Sequence, residues 1–579
     1  MTRETRIEAK AGERVARAFG DAVARLHART GGSADVAALV GRWAQHAWMH
    51  ADAGHVCITV SDRAQRERLV SSPAVDAAGN VREAPLVLDG DALYLQRLWR
   101  AEQRLAERIA ELDVPAPLGE ASAVAGVVDS LFAPAEADDA QRRALLRGLG
   151  HRLTLLSGGP GTGKTTTLAR LLVAFARLAP DARVAFAAPT GKAAARLGQS
   201  LSNQLARLDP AGELRARLPE AGMTVHRLLG LRAGSVVAAP AWDQPPSLDY
   251  DLVLVDEASM LDIEIAAALV SAAGPNVRLV LAGDRDQLAS VEAGAVFADL
   301  CASAGDAMVE LLRNHRQKDA AHIVELAVQV RDASRRESVR CGPGASRWPA
   351  AIALRRPDPA AIVDDALAAW AEVREAIDAR STPAQVLAAC ERHRVLTALR
   401  QGPLGSVALN RRIAAAVRHH AARSSGAGGP AFAPWYAGRL VLVTANRPAL
   451  GLFNGDVGVC VPRPDADDAA GGDLVVAFAG AEAPRLFPVA QMPACEDAWA
   501  MTVHKSQGSE FESVALVLAP QGHALNTREL VYTGITRARN RLAIWAESDA
   551  VAAAALTRTE RHGRLAQRLA ACIGDRNAE

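Results

Sequence analysis

A glycine-rich run, Gly158-Gly-Pro-Gly-Thr-Gly-Lys-Thr165, lies between the apolar segment Leu153–Leu156 and a stretch with helical spacing. It fits the pattern G-x-x-x-x-G-K-[ST] in the strand-to-helix setting that a phosphate-binding loop requires. Glycines let successive backbone N–H groups curve around an anion, and the start of the following helix adds partial positive charge. We therefore expect Lys164 to reach the β and γ oxygens of a nucleotide and Thr165 to bind Mg²⁺.

Around this loop the chain alternates short apolar segments with helical stretches, which is the pattern of a parallel sheet with crossover helices. Ligands bind such sheets at the carboxyl ends of the strands, so we expect the chemistry in the turns that follow them. A second α/β region is predicted from about Ala320, with strands near Val395–Thr397, Val514–Val517 and Leu542–Trp545. The predicted strands of the first region are Leu153–Leu156, Val184–Ala187, Leu252–Val255 and Val277–Leu281.

Two further regions accompany these α/β parts. The N-terminal residues are mostly helical by their spacing, including an amphipathic run over Leu93–Leu112, with short strands near His55–Val60 and Leu86–Leu88. The two prolines in Asp113–Pro117 predict a linker. Short β-rich segments separated by turns predict a small β-barrel inserted at about 434–498. The predicted domains are therefore 1–114, 115–318 and 319–579.

The charge balance limits how the chain can bind nucleic acid. Because 66 Lys and Arg face 65 Asp and Glu, there is no overall basic field, and any DNA binding must use a local groove. Only five of the basic residues are lysines, and three of these, Lys164, Lys192 and Lys505, fall in motifs. A lysine ammonium is a compact charge that a planar guanidinium does not replace at a tight phosphate site.

The cysteines and the N-terminal sequence indicate the cellular compartment in which we expect the protein. The seven cysteines are scattered without a C-x-x-C pair, which predicts free thiols in a reducing cytosol. The N-terminal residues include acidic ones and no apolar core of a signal peptide. No apolar run reaches the roughly 20 residues that a spanning helix needs. We expect a cytoplasmic protein with no membrane partner.

Two adjacent carboxylates, Asp256 and Glu257, directly follow the predicted strand Leu252–Val255. Given the phosphate loop upstream, we expect Asp256 to hold Mg²⁺ and Glu257 to polarise the water that attacks the γ-phosphate. A solvated turn is the alternative interpretation of such a pair.

Further motif segments supply groups that respond to a γ-phosphate. Gln287 follows another predicted strand and is a candidate γ-phosphate sensor, with a surface amide as the alternative. Arg316 in Asn314–Gln317 and Arg537 in Tyr532–Arg539 offer guanidinium groups, and an arginine finger is worth roughly 10³–10⁵ in rate in related phosphoryl transfers. With the two arginines on different domains, ATP would hold a cleft closed and hydrolysis would release it, as in a motor stroke.

Two segments that follow strands, Ala188–Lys192 and Met501–Gly508, have the composition of contacts to single-stranded DNA. Hydroxyls, backbone N–H groups and a lysine at helix N-termini suit phosphate oxygens, which carry no sequence information. Helix capping is the alternative for both segments, and a structural histidine is the alternative for His226. The predicted DNA contacts are Pro189, Thr190, Lys192, His226, Thr502, His504, Lys505 and Ser506.

Taken in order, the segments GGPGTGKTTT, APTGKAAARL, VDEASM, GDRDQL, NHRQ, MTVHKSQGSEF and VYTGITRAR resemble the motifs of superfamily 1 helicases. Within that superfamily the chain resembles the RecD family, the α subunits of exodeoxyribonuclease V. Three segments outside the motifs share this resemblance: GHVC (Gly54–Cys57), PLVLDGDALYLQRLW (Pro85–Trp99) and ALGLFNGDVG (Ala449–Gly458). The resemblance implies an α/β fold of two RecA-like P-loop motor domains, 115–318 and 319–579. It also implies an SH3-like barrel in the second motor domain and a mostly α partner-binding domain over 1–114.

The resemblance further implies an ATP- and Mg²⁺-dependent helicase that moves 5′ to 3′ on single-stranded DNA. Such a subunit acts at duplex ends in double-strand-break repair by homologous recombination, together with a β subunit and a γ subunit. The catalytic residues implied are Lys164, Glu257, Gln287, Arg316 and Arg537, and the metal ligands are Thr165 and Asp256. The ATP-binding residues implied are Gln141 for adenine, and Gly158, Gly159, Pro160, Gly161, Thr162, Gly163, Lys164, Thr165 and Thr166 for the phosphates.

A nonmotor P-loop ATPase switch that regulates assembly of a DNA-repair complex is the alternative function. Both proteins would hydrolyse ATP, but only the motor would turn over faster with DNA and separate strands. A GTPase is disfavoured because no Asn-Lys-x-Asp segment is present to bind guanine. A nuclease site would need a further carboxylate cluster with a lysine, and Lys10 and Lys318 lie in charged helical surroundings. We therefore expect DNA cleavage in a partner subunit.

Overall fold

Apolar strands flanked by helices build two compact units. The structure is a computed structural model, and it describes residues 3–78, 83–132, 139–209, 211–214, 218–219, 221–231, 246–314, 321–335, 339, 352–424, 434–464, 473–480 and 483–578. The first unit comprises the described residues of Arg3–Arg285, Ala289–His315 and Glu560–Glu579. The second unit comprises those of Asp286–Leu288 and Arg316–Thr559.

The helices and strands are numbered in chain order. None of the described helices is both long and apolar enough to cross a membrane. The helices are α1 (Arg3–Arg29), α2 (Ala34–Asp52), α3 (Arg63–Val70), α4 (Gln96–Leu112), α5 (Ala121–Asp129), α6 (Asp139–Gly150), α7 (Lys164–Leu178), α8 (Gly191–Leu208), α9 (Val225–Leu228), α10 (Ile263–Ala272), α11 (Val296–Ser303), α12 (Ala321–Arg331), α13 (Pro359–Asp378), α14 (Pro383–Arg392), α15 (Ser406–Ser424), α16 (Arg528–Thr536), α17 (Ala550–Leu556) and α18 (Leu565–Ala578). The strands are β1 (Cys57–Thr59), β2 (Val75–Ala77), β3 (Leu86–Asp89), β4 (Ala92–Leu95), β5 (Leu153–Gly158), β6 (Val184–Ala188), β7 (Met223–Thr224), β8 (Leu252–Val255), β9 (Arg278–Gly283), β10 (Met308–Leu311), β11 (Ile352–Arg355), β12 (His393–Thr397), β13 (Leu440–Val443), β14 (Val457–Pro462), β15 (Leu474–Phe478), β16 (Arg485–Pro488), β17 (Cys495–Asp497), β18 (Ala500–Thr502), β19 (Phe511–Val517) and β20 (Ala538–Trp545).

The main sheet of the first unit is parallel, in the order β10-β5-β9-β8-β6-β7. Its central strands β5, β6, β8 and β9 are buried along their whole length, which explains why they appear in the sequence as continuous apolar runs. The α/β prediction is confirmed here, and β8 has the predicted bounds. The short edge strands β7 and β10 are only partly buried and were not predicted.

A smaller sheet in the order β1-β4-β3-β2 precedes the main sheet in the chain. The amphipathic run over Leu93–Leu112 predicts a helix throughout, but this prediction is wrong at its start, where β4 occupies Ala92–Leu95 and α4 begins at Gln96. All four β4 side chains are buried because β4 lies between β1 and β3. Burial on both faces and strand pairing override the helical spacing at this end.

The N-terminal helices share one hydrophobic core with the main sheet of the first unit. Leu98 and Ile109 of α4 belong to the same buried cluster as Val253 of β8 and Leu279 of β9. The guanidinium of Arg108 donates a hydrogen bond to the carbonyl at the end of α10 at 2.8 Å. The hydrophobic core of this unit is therefore continuous across the predicted domain boundary at residue 114. The division of the chain into three domains stays a prediction.

The C-terminal segment returns to the first unit, whereas the predicted division places all of 319–579 in one domain. Glu102 of α4 is fully buried and accepts hydrogen bonds from Tyr94 Oη at 3.0 Å and Arg568 Nε at 2.9 Å. The backbone N–H of Arg564 donates to the same carboxylate at 2.7 Å. A buried carboxylate is tolerated only when it is paired and hydrogen-bonded, so these contacts explain the return of α18.

The second unit contains a parallel sheet in the order β11-β20-β19-β12-β18. The predicted strands near Val395, Val514 and Leu542 are confirmed as β12, β19 and β20. The predicted insertion is an antiparallel sheet in the order β16-β15-β14-β13-β17. In the part of the chain that the structure describes, its pairings leave β16 and β17 at the two edges, so closure into a barrel stays a prediction.

Candidate functional site

The carboxyl ends of the four central parallel strands, β5, β9, β8 and β6, meet at one edge of the main sheet, which we name the carboxyl edge. Ser157 of β5 is paired with Gly283 of β9, and Leu281 of β9 with Val255 of β8. On the other side of β8, Val255 is paired with Ala187 of β6. The turns that carry the glycine-rich loop, the Asp-Glu pair, Gln287 and the Ala188–Lys192 segment therefore all begin at this edge.

The loop after β5 has a backbone conformation that requires glycine at two positions. Gly161 has φ +82° and Gly163 has φ +88°, in the left-handed region that residues with a Cβ rarely adopt. Gly163 is followed directly by α7, which begins at Lys164. The N–H groups of the first turn of a helix lack partners within that helix, so Lys164, Thr165 and Thr166 offer donors to an anion at the loop.

Lys164 and Asn314 both hydrogen-bond to this loop. Lys164 Nζ donates to the carbonyl oxygens of Gly158 and Gly159, the latter at 3.3 Å. Asn314 Nδ2 donates to the carbonyl of Pro160 at 2.9 Å. The predicted Asn314–Gln317 segment thus begins against the loop, whereas its Arg316 lies outside the described residues.

The Asp-Glu pair lies directly after β8, and its second residue is strained. Glu257 has φ +54°, a left-handed conformation that costs about 1–3 kcal/mol for a residue other than glycine. Its N–H donates to Asp256 Oδ1 at 2.8 Å. Burial raises the pKa of Asp256, the Glu257 carboxylate raises it further, and the Lys164 ammonium opposes both effects. The Arg196 guanidinium also opposes the rise, and the carboxylate oxygens of the pair match the preference of Mg²⁺.

Gln287 and Arg537 are both buried within the second unit. Gln287 belongs to the Asp286–Leu288 segment, which packs with this unit although it follows β9 in the chain. Arg537 directly follows α16, and it donates to the carbonyls of Thr533 at 3.2 Å and Ser509 at 3.1 Å. The roles of Gln287 and Arg537 at a γ-phosphate stay predictions.

Gln141 is buried on α6, with its side-chain carbonyl already engaged. Arg170 Nη1, on α7, donates to Gln141 Oε1 at 2.6 Å, and the same guanidinium lies over the ring of Phe132. Adenine recognition through this oxygen would have to replace the arginine. Sequence reasoning missed Arg170, which lies 29 positions after Gln141 and belongs to no motif that we recognised.

The Ala188–Lys192 segment and the predicted contact His226 lie side by side in the first unit. Ala188 of β6 is paired with Thr224 of β7, so Thr190, which caps α8, and His226, on α9, follow neighbouring strands. Thr190 Oγ1 accepts the N–H of Ala193 at 3.2 Å as the N-cap of α8, so the capping role is observed. His226 is exposed, and Pro189 and Lys192 are partly exposed.

The remaining DNA segment forms a short turn after β18 in the second unit, which we name the 502–508 turn. Thr502 Oγ1 accepts the Lys505 N–H, and His504 is partly exposed. Ser506 is fully buried and donates to the Val503 carbonyl at 2.7 Å, so this serine supports the turn from inside and is out of reach of a strand in this conformation.

The Lys505 ammonium forms an ion pair with Glu496 of β17. Both side chains are more than one-third exposed, so a DNA phosphate can compete with the carboxylate for this lysine. Sequence reasoning missed Glu496, because nothing in the sequence indicates that β17 lies beside the turn after β18.

Comparisons with known proteins show which families the sequence of this chain matches. Residues 136–341 match a family model described as an AAA domain, and residues 497–545 match a UvrD-like helicase C-terminal domain. The RecBCD enzyme subunit RecD of Mycobacterium tuberculosis is 36% identical over 89% of this chain and 89% of its own length. The subunit of the same name from Mycolicibacterium smegmatis is 36% identical over 85% of this chain and 86% of its own length.

A further relative is the ATP-dependent RecD2 DNA helicase of Deinococcus radiodurans, which is 32% identical over 78% of this chain and 54% of its own length. The resemblance inferred from the ordered motifs is thus confirmed over most of the chain. Identity above 30% across nearly the full length of both proteins, together with the glycine-rich loop and the Asp-Glu pair at one sheet edge, shows that this chain belongs to the RecD family of DNA helicases.

Proposed function

We propose that this chain is an ATP-dependent DNA helicase that moves 5′ to 3′ on single-stranded DNA as the α subunit of a heterotrimeric exodeoxyribonuclease V. The observation that carries the proposal is the carboxyl edge, where the phosphate loop, the Asp-Glu pair and two candidate DNA segments follow strands of one parallel sheet. A nucleotide and a strand of DNA bound at the same edge can each affect the other through the short turns between them.

The ATP site is assigned to the loop and the carboxylates of the first unit. The first-turn N–H groups of α7 and the Lys164 ammonium suit the β- and γ-phosphates. The hydroxyl of Thr165 and the carboxylate of Asp256 would hold Mg²⁺, which when bound neutralises charge on the β and γ oxygens. Glu257 would orient the attacking water and accept its proton. Gln141, Gln287, Arg316 and Arg537 keep the roles that the resemblance implies.

DNA binding is assigned to phosphate contacts without base recognition. Thr190, Lys192 and His226 present small polar groups and one ammonium at the carboxyl edge. In the second unit, Thr502, His504 and Lys505 do the same at the 502–508 turn, with Ser506 supporting it. Because the net charge of the chain is only +1, these local groups must supply the electrostatic attraction.

Assembly with β and γ subunits is assigned to the N-terminal region, as the resemblance implies. Helix α1 exposes apolar side chains there, with Val15 50% and Leu26 41% exposed. Exposed apolar side chains that share a helix are typical of a surface that another protein covers. A cytoplasmic location and action at duplex ends complete the proposal.

Replacing the loop lysine tests the ATP site. Lys164→Gln in the full chain is expected to fold normally and to lower ATP turnover with poly(dT) by about 10²-fold or more, since a charge that stabilises the transferring phosphoryl group is lost. The matched control is Arg63→Gln, at an exposed ion pair on α3, which is expected to turn over normally. Near-normal turnover by Lys164→Gln would show that the loop is wrongly assigned.

The same assay separates a motor from a nonmotor switch. The wild-type chain is expected to hydrolyse ATP faster with single-stranded DNA and to unwind a forked duplex with a 5′ tail. Turnover that is indifferent to DNA, without unwinding of either tail polarity, would support the switch.

The strain at Glu257 predicts a difference between two amide variants. Asparagine tolerates the left-handed conformation better than other non-glycine residues. We therefore expect Glu257→Asn to have a free energy of unfolding in urea about 0.5–1 kcal/mol higher than that of Glu257→Gln. Both variants lack the carboxylate that activates water, so DNA-stimulated ATP turnover is expected to fall roughly 10²-fold or more in each. Equal stability of the two variants would show that the backbone of Glu257 is not strained. Retained ATP turnover in either variant would show that Glu257 does not activate the attacking water.

Partner binding is testable on the surface of α1. Deleting 1–114 would expose the core that α4 shares with α10, so we use the double variant Val15→Asp/Leu26→Asp instead. It is expected to stop co-purifying with the other subunits, because two charges replace apolar contacts, and to keep DNA-stimulated turnover. The control Leu486→Asp, at an equally exposed leucine of β16, should co-purify normally. Stoichiometric recovery of the double variant with partner subunits would contradict the assignment.

A further inference from the structure

The backbone of Leu288 is held by side chains from two different motifs within the second unit. Its N–H donates to Thr533 Oγ1 at 2.9 Å, and its carbonyl accepts from Gln507 Nε2 at 2.8 Å. All three residues are buried, and Thr533 is fully so. Leu288 directly follows Gln287, so these two hydrogen bonds fix the backbone of the predicted γ-phosphate sensor.

Each of the two side chains has a second connection. Gln507 belongs to the 502–508 turn, directly after Lys505 and Ser506, and its N–H donates to the His504 carbonyl at 3.2 Å. A shift of this turn on contact with a phosphate would therefore reach the Leu288 carbonyl through one side chain.

Thr533 connects Leu288 to Arg537. While its hydroxyl accepts from Leu288, its carbonyl accepts from Arg537 Nε at 3.2 Å, and Arg537 Nη1 donates to Ser509 at 3.1 Å. The hydrogen bonds thus run from the 502–508 turn through Leu288 and Thr533 to Arg537 and on to Ser509, whose N–H donates back to the carbonyl of Ser506 in the turn at 2.9 Å. Networks of buried hydrogen bonds of this kind have few alternative arrangements, because an unmade bond in the interior is costly.

We propose that Gln507 and Thr533 are positioning residues that couple DNA contact at the 502–508 turn to the placement of Gln287 and Arg537, by holding the backbone of Leu288 from both sides. The inference rests on the proposed function, since it assumes that ATP turnover responds to DNA. In this proposal both residues act through Leu288 rather than by contacting DNA or nucleotide.

The test is ATP turnover by the full chain as a function of poly(dT) concentration. Gln507→Met keeps the side-chain volume and removes the donor to Leu288. It is expected to lower the ratio of stimulated to unstimulated turnover at saturating DNA about tenfold, the order expected when one buried hydrogen bond is lost from the transition state. The loss is expected in maximal turnover rather than in the half-saturating DNA concentration. Thr533→Val is expected to lower the ratio to a similar extent, and Thr533→Ser, which keeps the hydroxyl, to restore it.

The double variant separates coupling from local damage. Because Gln507 and Thr533 act on the same backbone unit, Gln507→Met/Thr533→Val is expected to be about as impaired as either single variant, whereas independent defects would multiply. The control Asn526→Leu removes another buried amide, which donates to the carbonyls of Ala519 and Pro520 in the same unit. It is expected to lower thermal stability and to keep the ratio of stimulated to unstimulated turnover.

Three results would overturn the proposal: normal stimulated turnover in Gln507→Met, a defect seen only as weaker DNA binding, or loss of stimulation in Thr533→Ser. If Thr533→Val does not fold, Thr533→Ser and Gln507→Met still test whether the proposal holds. Failure of the proposed function looks different, because the wild-type chain itself would then show no response to poly(dT).

Discussion

The register of the main parallel sheet is the constraint on which the rest of the account depends. Strands β5, β9, β8, β6 and β7 pair so that their carboxyl ends lie along one edge, and the phosphate loop, the Asp-Glu pair and the candidate DNA residues of the first unit follow strands that end there. Strands buried on both faces keep this register, because a slip would move apolar side chains out of the packed layers. The site is thus a consequence of burial in the sheet below it.

The candidate site combines two unfavourable features. Glu257 is in a left-handed conformation, and the pKa of Asp256 is raised because burial and the Glu257 carboxylate outweigh the opposing effects of the Lys164 ammonium, the Glu257 N–H and the Arg196 guanidinium. Such features persist only where the surrounding structure enforces them, and they are concentrated at functional sites. A divalent cation bound to Asp256 would favour the ionised form of this carboxyl group. In the second unit, by contrast, the backbone N–H and carbonyl of Leu288 are both satisfied by hydrogen bonds.

Local pattern predicted the strands and the loop, whereas contacts between distant segments were beyond it. Leu252–Val255 was predictable because four consecutive buried apolar residues leave little alternative to a central strand. The strand Ala92–Leu95 was not predictable, because the spacing of its apolar residues also fits the helix that follows. Only its position between two neighbouring strands determines that it is a strand. The pairing of Glu102 with Arg568 joins residues 466 positions apart, and the hydrogen bond from Gln507 to Leu288 spans 219. The periodicity of apolar residues along the sequence does not indicate contacts between residues so far apart.

The most direct test of the central claim is a structure of the full chain with Mg²⁺, a transition-state analogue of ATP hydrolysis and oligo(dT). The account predicts phosphates on the N–H groups of Gly161–Thr165, the metal between Thr165 and Asp256, and the DNA backbone beside Thr190 and His226 at the end of β6 and β7. A nucleotide bound away from the glycine-rich loop, or a strand of DNA that avoids the carboxyl edge altogether, would contradict it.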